Sequence, residues 1–306
     1  MRLYEIPIEP TSGFGTPLKG DTIFGHFCWQ AFYDPNLVKG SIEEILADYD
    51  REPFIVFSSA IIKLNKELYA FKRPDMPLCH IFPREDNDRV KQYKFIKEKK
   101  KREWMLIRNP MFVDLSKSEF KSSEELAELI NRSHKSIISS VSQPHNKINR
   151  LTNTTGTGEF APYTHEYISY LPNLMLTIFV LFDESIIDID SIHTALERIG
   201  RWGFGRDAST GMGRFKVGEP KPFSLPKLED ADTFYTLSPC ILEHDLYEDT
   251  WFKPFIRYGK HGDRLANSRN PFKNIVVMAD EGAVFVPRNK KDVNKPYIGR
   301  AVKGIS

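Results

Sequence analysis

Residues Arg201 to Lys216 read R-W-G-F-G-R-D-A-S-T-G-M-G-R-F-K, a glycine-rich stretch with an arginine near each end, set behind a helical pattern and ahead of an extended one. That order constrains the fold more than the glycines do. Gly203, Gly205, Gly211 and Gly213 permit backbone at positive φ and bring N–H groups close to a ligand, and Arg206 and Arg214 supply charge, so the stretch suits an anion. Gly203 to Ala208 also satisfies the G-x-G-x-x-A pattern, but that pattern marks a dinucleotide site only between a strand and a following helix. Here Asp190 to Ile199 reads as helix and Arg214 to Val217 as strand, which is the reverse. No G-K-[S/T] triplet occurs in the chain, so a Walker loop is excluded too. The stretch alone leaves two readings open: a phosphate grip, or a β-hairpin tip whose glycines serve turns.

Periodicity places the stretch in a βα framework. Tyr4, Ile6 and Ile8 alternate as a strand, and a glycine-bearing loop, Thr11 to Gly20, follows. Ile23, Phe24, Phe27, Cys28, Ala31 and Phe32 recur at helical steps behind Asp21, which reads as an N-cap. Ser41 and Glu44 have capping-box spacing, and Phe54 to Ile62 and Glu67 to Lys72 read as strands joined by a turn at Asn65. From about Pro74 to Ser169 the alternation breaks down, and this stretch reads as an insertion with a capped helix from Ser122 to about Asn131. A strand at Leu171 to Phe182 and a helix at Ile192 to Ile199 resume the rhythm. The order is close to β-α-β-β-α-β, an α+β, ferredoxin-like domain with a large excursion. Pro220, Pro222 and Pro226 mark a linker, which predicts a first domain over residues 1–220 and a smaller, β-rich one over 221–306. In the second, Asn274 to Ala279 and Ala283 to Pro287 read as a hairpin across Asp280-Glu-Gly282.

The net charge of +2 over 306 residues gives no global sign of nucleic-acid binding, but the charge is unevenly placed. Arg89 to Arg108 holds nine Lys or Arg against two Glu, and Lys253 to Lys273 holds six against one Asp. Glu229 to Phe252 holds seven Asp or Glu and no Lys or Arg. Separate basic and acidic surfaces fit contact with a polyanion and with a protein partner, although charged runs also serve as solvated faces. Cys28, Cys79 and Cys240 lack disulfide or zinc spacing, and the histidines show no metal-ligand spacing. Residues 1–8 run directly into a strand-like segment with no signal stretch, and Leu174 to Phe182 falls far short of the roughly 20 residues a membrane span needs. A cytoplasmic protein with no membrane contact, metal or cofactor is the expectation.

A second candidate segment is Pro144 to Gly158, with His145, Asn146, Lys147, Asn149, Arg150 and Thr152 followed by an aromatic return at Phe160, Tyr163 and Tyr167. As a projecting hairpin it suits RNA: cations for phosphates, amides for base edges, an apolar tip to wedge between bases. Its alternative is a disordered surface loop. His26, on the first helix beside the Thr11 to Gly20 loop, reads as a general acid for metal-free RNA cleavage, as a phosphate ligand, or as a helix histidine satisfied within the protein.

Three segments together resemble the RAMP superfamily of CRISPR RNA-guided effector subunits: G-D-T-I-F-G-H-F at Gly20 to Phe27, H-N-x-x-N-R-x-T at His145 to Thr152, and G-F-G-R-D-A-S-T-G-M-G-R-F at Gly203 to Phe215. The region around Phe255 to Gly259 and Asn274 to Phe285 is similar to the second domain of the subunit that caps the Csm-type, subtype III-A complex. The resemblance implies two tandem ferredoxin-like, RRM-like domains with an insertion at about 74–169 and a projecting thumb hairpin in the first. It implies a non-catalytic role in antiviral defence: holding the 5′ tag of the guide RNA (crRNA) and docking the large, polymerase-like signalling subunit. A neighbouring backbone RAMP subunit is a further implied partner, and target RNA is met through the guide. Gly203, Gly205, Arg206, Ser209, Thr210, Gly211, Gly213 and Arg214 would cradle the tag, and His145 to Thr152 would kink the guide. Lys19, His26, Arg257 and Lys260 complete the candidate RNA-binding set. The basic insertion has no matched counterpart, and no acidic residue of the kind that cleaves target RNA is located. The alternative class is a metal-independent endoribonuclease that trims repeat RNA with His26 or His145.

Overall fold

The computed structural model of the chain describes residues 1–83, 88–109, 111, 113–130, 136–226, 232–243, 245–289 and 295–304. Strand β1 (Arg2–Pro10) buries Ile6 and Ile8 completely. Helix α1 (Gly20–Tyr33) turns Ile23, Phe27 and Ala31 inward at four-residue steps. Its start departs from the expected one. Lys19 occupies the cap position, and Asp21 lies in the first turn with its carboxylate bonded to Arg257. Helix α2 (Ile42–Ala47) follows Ser41, but the Ser41 hydroxyl donates to Glu43 and closes no capping box with Glu44.

The strand expected from Phe54 to Ile62 is two strands, β2 (Ile55–Phe57) and β3 (Ile61–Lys63). Ser58 lies in the break: its N–H still donates to the Phe179 carbonyl at 2.8 Å, but the Phe179 N–H goes to the Ser58 hydroxyl at 2.8 Å, so a side-chain bond replaces one half of the ladder there. Strand β4 (Leu68–Lys72) returns after a turn in which Asn65 Oδ1 accepts from the N–H groups of Glu67 and Leu68.

The stretch taken as an insertion carries α3 (Leu78–Ile81), α4 (Arg89–Lys101), β5 (Trp104–Arg108), β6 (Glu119–Lys121), α5 (Ser123–Ile130), β7 (Ile138–His145) and β8 (Tyr163–Tyr170). It is only partly an excursion, because β5 pairs with β4 and β6 with β5, extending the main sheet. Helix α5 is capped at Ser122 as expected, and the cap is reciprocal: the Ser122 N–H reaches the Glu125 carboxylate at 2.7 Å, and the Glu125 N–H reaches the Ser122 hydroxyl at 3.1 Å. Its expected end, Asn131, lies outside the described residues. Strands β7 and β8 form a separate two-stranded hairpin.

Strand β9 (Leu176–Phe182), helix α6 (Ile189–Trp202) and strands β10 (Phe215–Val217) and β11 (Lys221–Pro222) complete the first region. The Asp188 carboxylate caps α6 by accepting from the Ser191 N–H at 2.7 Å. The helix buries Ile192, Ala195, Leu196 and Ile199, and ends at Gly203 with φ +109°. The sheet order is β10-β1-β9-β3-β4-β5-β6, antiparallel at every pairing, with β2 also on β9 and β11 on β1. Alternation along β9 divides the core. Ile178 and Val180 pack with α1 and α6, while Phe179 packs on the other face with Tyr69, Phe71 and Met105. The chain stays on this sheet past residue 220, since the Phe223 N–H donates to the Leu3 carbonyl at 2.9 Å.

The remaining strands are β12 (Phe234–Tyr235), β13 (Tyr247–Trp251), β14 (Pro254–Arg257), β15 (Val276–Ala279) and β16 (Val284–Pro287). The expected hairpin across Asp280 to Gly282 does not form: β15 pairs with β14, and β16 with β12 and β13. The connecting turn is tied to the first region instead. Both its carboxylates bind Lys19 Nζ, with Glu281 at 2.7 Å, and Lys72 Nζ donates to the Glu281 carbonyl at 2.7 Å. Gly282 donates to the Thr236 carbonyl and accepts from the Asp75 N–H. Held this way, the two strands leave the turn toward different partners. Among the described residues, the region after 221 contains a 3₁₀ turn at Asp263–Asn267 and no α-helix, so the β-rich expectation holds and the two helices of a second ferredoxin-like unit are absent from it.

Candidate nucleic-acid interface

The glycine-rich stretch folds as a tight loop with repeated left-handed backbone. Gly203, Gly205, Asp207, Gly211 and Gly213 have φ between +64° and +109°. Gly213 admits no side chain, because a Cβ there would meet the Phe204 carbonyl oxygen at 2.1 Å and the Phe204 nitrogen at 2.4 Å. Phe204 is the loop's anchor, fully buried and packed on the His26 ring with centroids 4.7 Å apart.

The glycine N–H groups are used inside the protein, which changes the role expected of them. Gly203 donates to the Ile199 carbonyl at 2.8 Å, Gly211 to the Ala208 carbonyl at 3.0 Å and Gly213 to the Gly13 carbonyl at 2.7 Å. Gly205 donates to His26 Nε2 at 3.0 Å. His26 therefore accepts as a neutral imidazole, and burial, helped by nearby Lys273, brings its pKa down to about 4. A histidine in this state is poorly suited to act as a general acid near neutral pH. Of the three readings the sequence left open, the geometry matches the histidine satisfied within the protein.

What the loop offers to a ligand is side chains. Arg214 is exposed and its side chain has no partner among the described residues, while its backbone is fixed by the Ser12 hydroxyl and the Thr11 N–H. Ser209 and Thr210 are exposed on a 3₁₀ turn. Arg206 is half-exposed and pairs with Asp207 at 3.1 Å, and its guanidinium also donates to the Glu166 carbonyl of β8.

That last bond joins the loop to the hairpin. Phe14 and Ile168 exchange backbone hydrogen bonds of 2.8 Å each, and His165 Nδ1 lies 3.5 Å from the Asp207 carboxylate. The Thr16 hydroxyl accepts from the Arg206 N–H at 2.9 Å. Three segments thus converge: the loop after β1, the glycine-rich loop, and the base of β7–β8. Five residues farther along β8, about 17 Å of strand, His145 stacks on Tyr163 with centroids 5.5 Å apart and planes 14° from parallel. Beyond it the tip is bonded to itself, with Asn149 N–H to the Thr154 carbonyl at 3.0 Å and Leu151 N–H to Asn149 Oδ1 at 2.9 Å. Lys147, Ile148, Arg150, Leu151 and Thr152 are exposed there, Leu151 at 94%.

The structure gathers His26 and the glycine-rich loop residues beside the hairpin base but sets apart Lys19, Arg257, Lys260 and the residues of the hairpin tip. Lys19 is buried under the Asp280–Glu281 turn. Arg257 makes a two-pronged bond to Asp21 at 2.6 and 2.7 Å, joining the C-terminal region to α1. Lys260 lies over the Phe272 ring in that same region. Asn146 and the other tip residues stand off from the glycine-rich loop along the hairpin. The residues that sequence reasoning missed are Ser12, Gly13 and Thr16, which bind the loop backbone. The run Thr11-Ser-Gly-Phe-Gly-Thr, with hydroxyls interleaved with glycines, was the available signal. The Glu166 carbonyl carries no such signal. Glu248 and Asp249 of the acidic segment are exposed on β13, Glu243 pairs with Lys295 at 2.9 Å, and residues 229–231 lie outside the described set.

No family model and no curated protein matches the chain. Solved structures match it in fold. A chain of the crystal structure of the Csm1–Csm4 cassette in complex with pppApA superposes with a TM-score of 0.56 at 14% identity, covering 99% of this chain and 98% of that one. A chain of the Csm3–Csm4 subcomplex in the type III-A CRISPR-Cas interference complex gives 0.53 at 15% identity, covering 97% and 94%. The chain shares its fold with a subunit of type III-A CRISPR assemblies. The match spans nearly the whole length of both chains.

Proposed function

We propose that this chain is a non-catalytic, crRNA-binding subunit of a type III-A CRISPR interference complex. In this reading it holds the 5′ tag of the guide against the glycine-rich loop and docks the large polymerase-like subunit and a neighbouring backbone subunit. The observation that carries the proposal is the convergence of the glycine-rich loop, the loop after β1 and the hairpin base into one surface, on a fold shared with Csm-assembly chains. The order β10-β1-β9-β2/β3, with α1 and α6 packed together on one face, supports the ferredoxin-like reading of the first region. The backbone of the loop sets shape, and Arg214, Ser209 and Arg206 meet phosphate oxygens. The hairpin supplies Lys147 and Arg150 for the backbone and Leu151 as a wedge at its tip. Exposed Glu248 and Asp249 form part of the protein-docking face.

Guide RNA with and without its 5′ tag separates this reading from general RNA affinity. Arg214→Ala should weaken binding of the tagged RNA by about 1–3 kcal/mol and leave the untagged RNA nearly unaffected. Repeat RNA incubated with the protein in EDTA should stay intact. Cleavage that His26→Ala abolishes would transfer the assignment to an endoribonuclease.

A further inference from the structure

Helix α4 is the basic segment that the tag-binding reading leaves without a role. Its inner side, Gln92, Phe95, Ile96 and Lys99, is half-buried at helical spacing. The helix is capped at its start and tied to the body of the protein at its end. The Asp88 carboxylate caps the start by accepting from the Val90 N–H at 2.8 Å, and Arg73 gathers the carbonyls of Lys99 and Arg102 at 2.9 and 2.8 Å. Lys99 also lies over the rings of Phe82 and Phe95.

The outer side presents Lys94, Lys97 and Lys101 in a row, one per turn, at rises of about 4.5 and 6 Å. All three are exposed, and among the described residues none has an ion-pair partner. The helix has one acidic residue, Glu98, and Arg102 occupies it at 3.0 Å. A helix built only to be solvated alternates charge signs at i, i+3 and i+4, whereas Lys91–Lys94, Lys94–Lys97, Lys97–Lys100 and Lys97–Lys101 all repel at those spacings. The row thus carries a standing repulsion that a polyanion relieves. Tyr93, 69% exposed, stands beside it with its ring available to stack.

We infer that α4 is a second, sequence-independent RNA-binding surface, in which Lys94, Lys97 and Lys101 follow the phosphates of one strand and Tyr93 stacks on a base. An aromatic ring next to evenly spaced lysines favours RNA over an acidic protein surface. The inference does not depend on the tag site.

The test uses the full chain and a 30-nucleotide oligouridylate, which carries no tag. Replacing three single-strand phosphate contacts in Lys94→Gln/Lys97→Gln/Lys101→Gln should flatten the slope of log K against log salt by about 2. Tyr93→Ala should weaken binding about fivefold or more at every salt concentration without changing that slope. Thermal midpoints of both variants should equal or exceed the wild-type value, since repulsion is removed and nothing buried is lost. A triple variant with unchanged slope overturns the inference. So does loss of poly-glutamate binding in that variant with oligouridylate binding intact, which would assign α4 to an acidic protein. Arg214→Ala should change neither result, so failure here and failure of the tag-binding reading are distinguishable.

Discussion

The glycine-rich loop and the hairpin tip were both candidates for RNA contact, and they are built in opposite ways. The loop is fixed through its backbone: its glycine N–H groups, the backbone nitrogens of Arg206 and Arg214, and the Phe204 ring are all committed to protein partners. Among the described residues the tip is bonded only to itself, and it shows Lys147, Arg150 and Leu151 to solvent. Glycines in the first region therefore create a shape, while the second presents exposed side chains. A substitution at a loop glycine should act first on folding. A substitution at the tip should act on binding alone.

The sharpest challenge to this contrast is Gly213→Ala. A Cβ directed at the Phe204 backbone, on a residue with φ +73°, should destabilise the chain by at least about 3 kcal/mol in denaturant titration. Gly211→Ala, with open space around the added methyl, should act only through its φ of +95° and cost about 1 kcal/mol.

The burial of neutral His26 under the loop predicts a pH effect nearly as large as the first. The folded pKa of about 4 lies below the unfolded value of 6.5, so the protonated form favours the unfolded chain. The stability from this histidine is fully present above pH 6.5 and is lost progressively as pH falls toward 4, for a total of about 3 kcal/mol. Thermal unfolding of wild type and His26→Gln across that window should show a shallower slope for the variant.

Arg257→Ala removes the two-pronged tie to Asp21 and should destabilise by about 1–2 kcal/mol. At the small end, Arg150→Ala and Leu151→Ala should leave stability within about 0.5 kcal/mol while weakening guide binding. If the tip variants unfold the protein and Gly213→Ala does not, the contrast is wrong.

Local signals carried the first region well. The alternation in β1, the helical steps of α1, the helix at Ile192 to Ile199 and the cap at Ser122 stand where the sequence places them, whereas the Ser41–Glu44 capping box does not form. Errors arose where distant residues decide local structure. Asp21 has the composition of a cap, but the Arg257 guanidinium reaches it from the other end of the chain. Asp280 to Gly282 has hairpin composition, but Lys19 and Lys72 hold it and send its strands to separate sheets. Lys19 and Arg257 stood in the candidate RNA-binding set because the sequence shows a cation without its partner, and the structure pairs Lys19 with Asp280 and Glu281 and Arg257 with Asp21. The convergence of the glycine-rich loop with the hairpin was legible only as two segments, because the bonds joining them run largely through backbone carbonyls and hydroxyls.

The central claim is that a surface shaped by glycines and armed by Arg214 recognises the 5′ end of a guide RNA. Its most direct measurement is the ratio of dissociation constants for guide RNA without and with the 5′ tag, taken for wild type and Arg214→Ala at fixed salt. The account predicts a ratio well above one for wild type that falls toward one in the variant, with the thermal midpoint unchanged. Equal affinity of the wild-type protein for both RNAs, or a ratio that Arg214→Ala leaves intact, would contradict it.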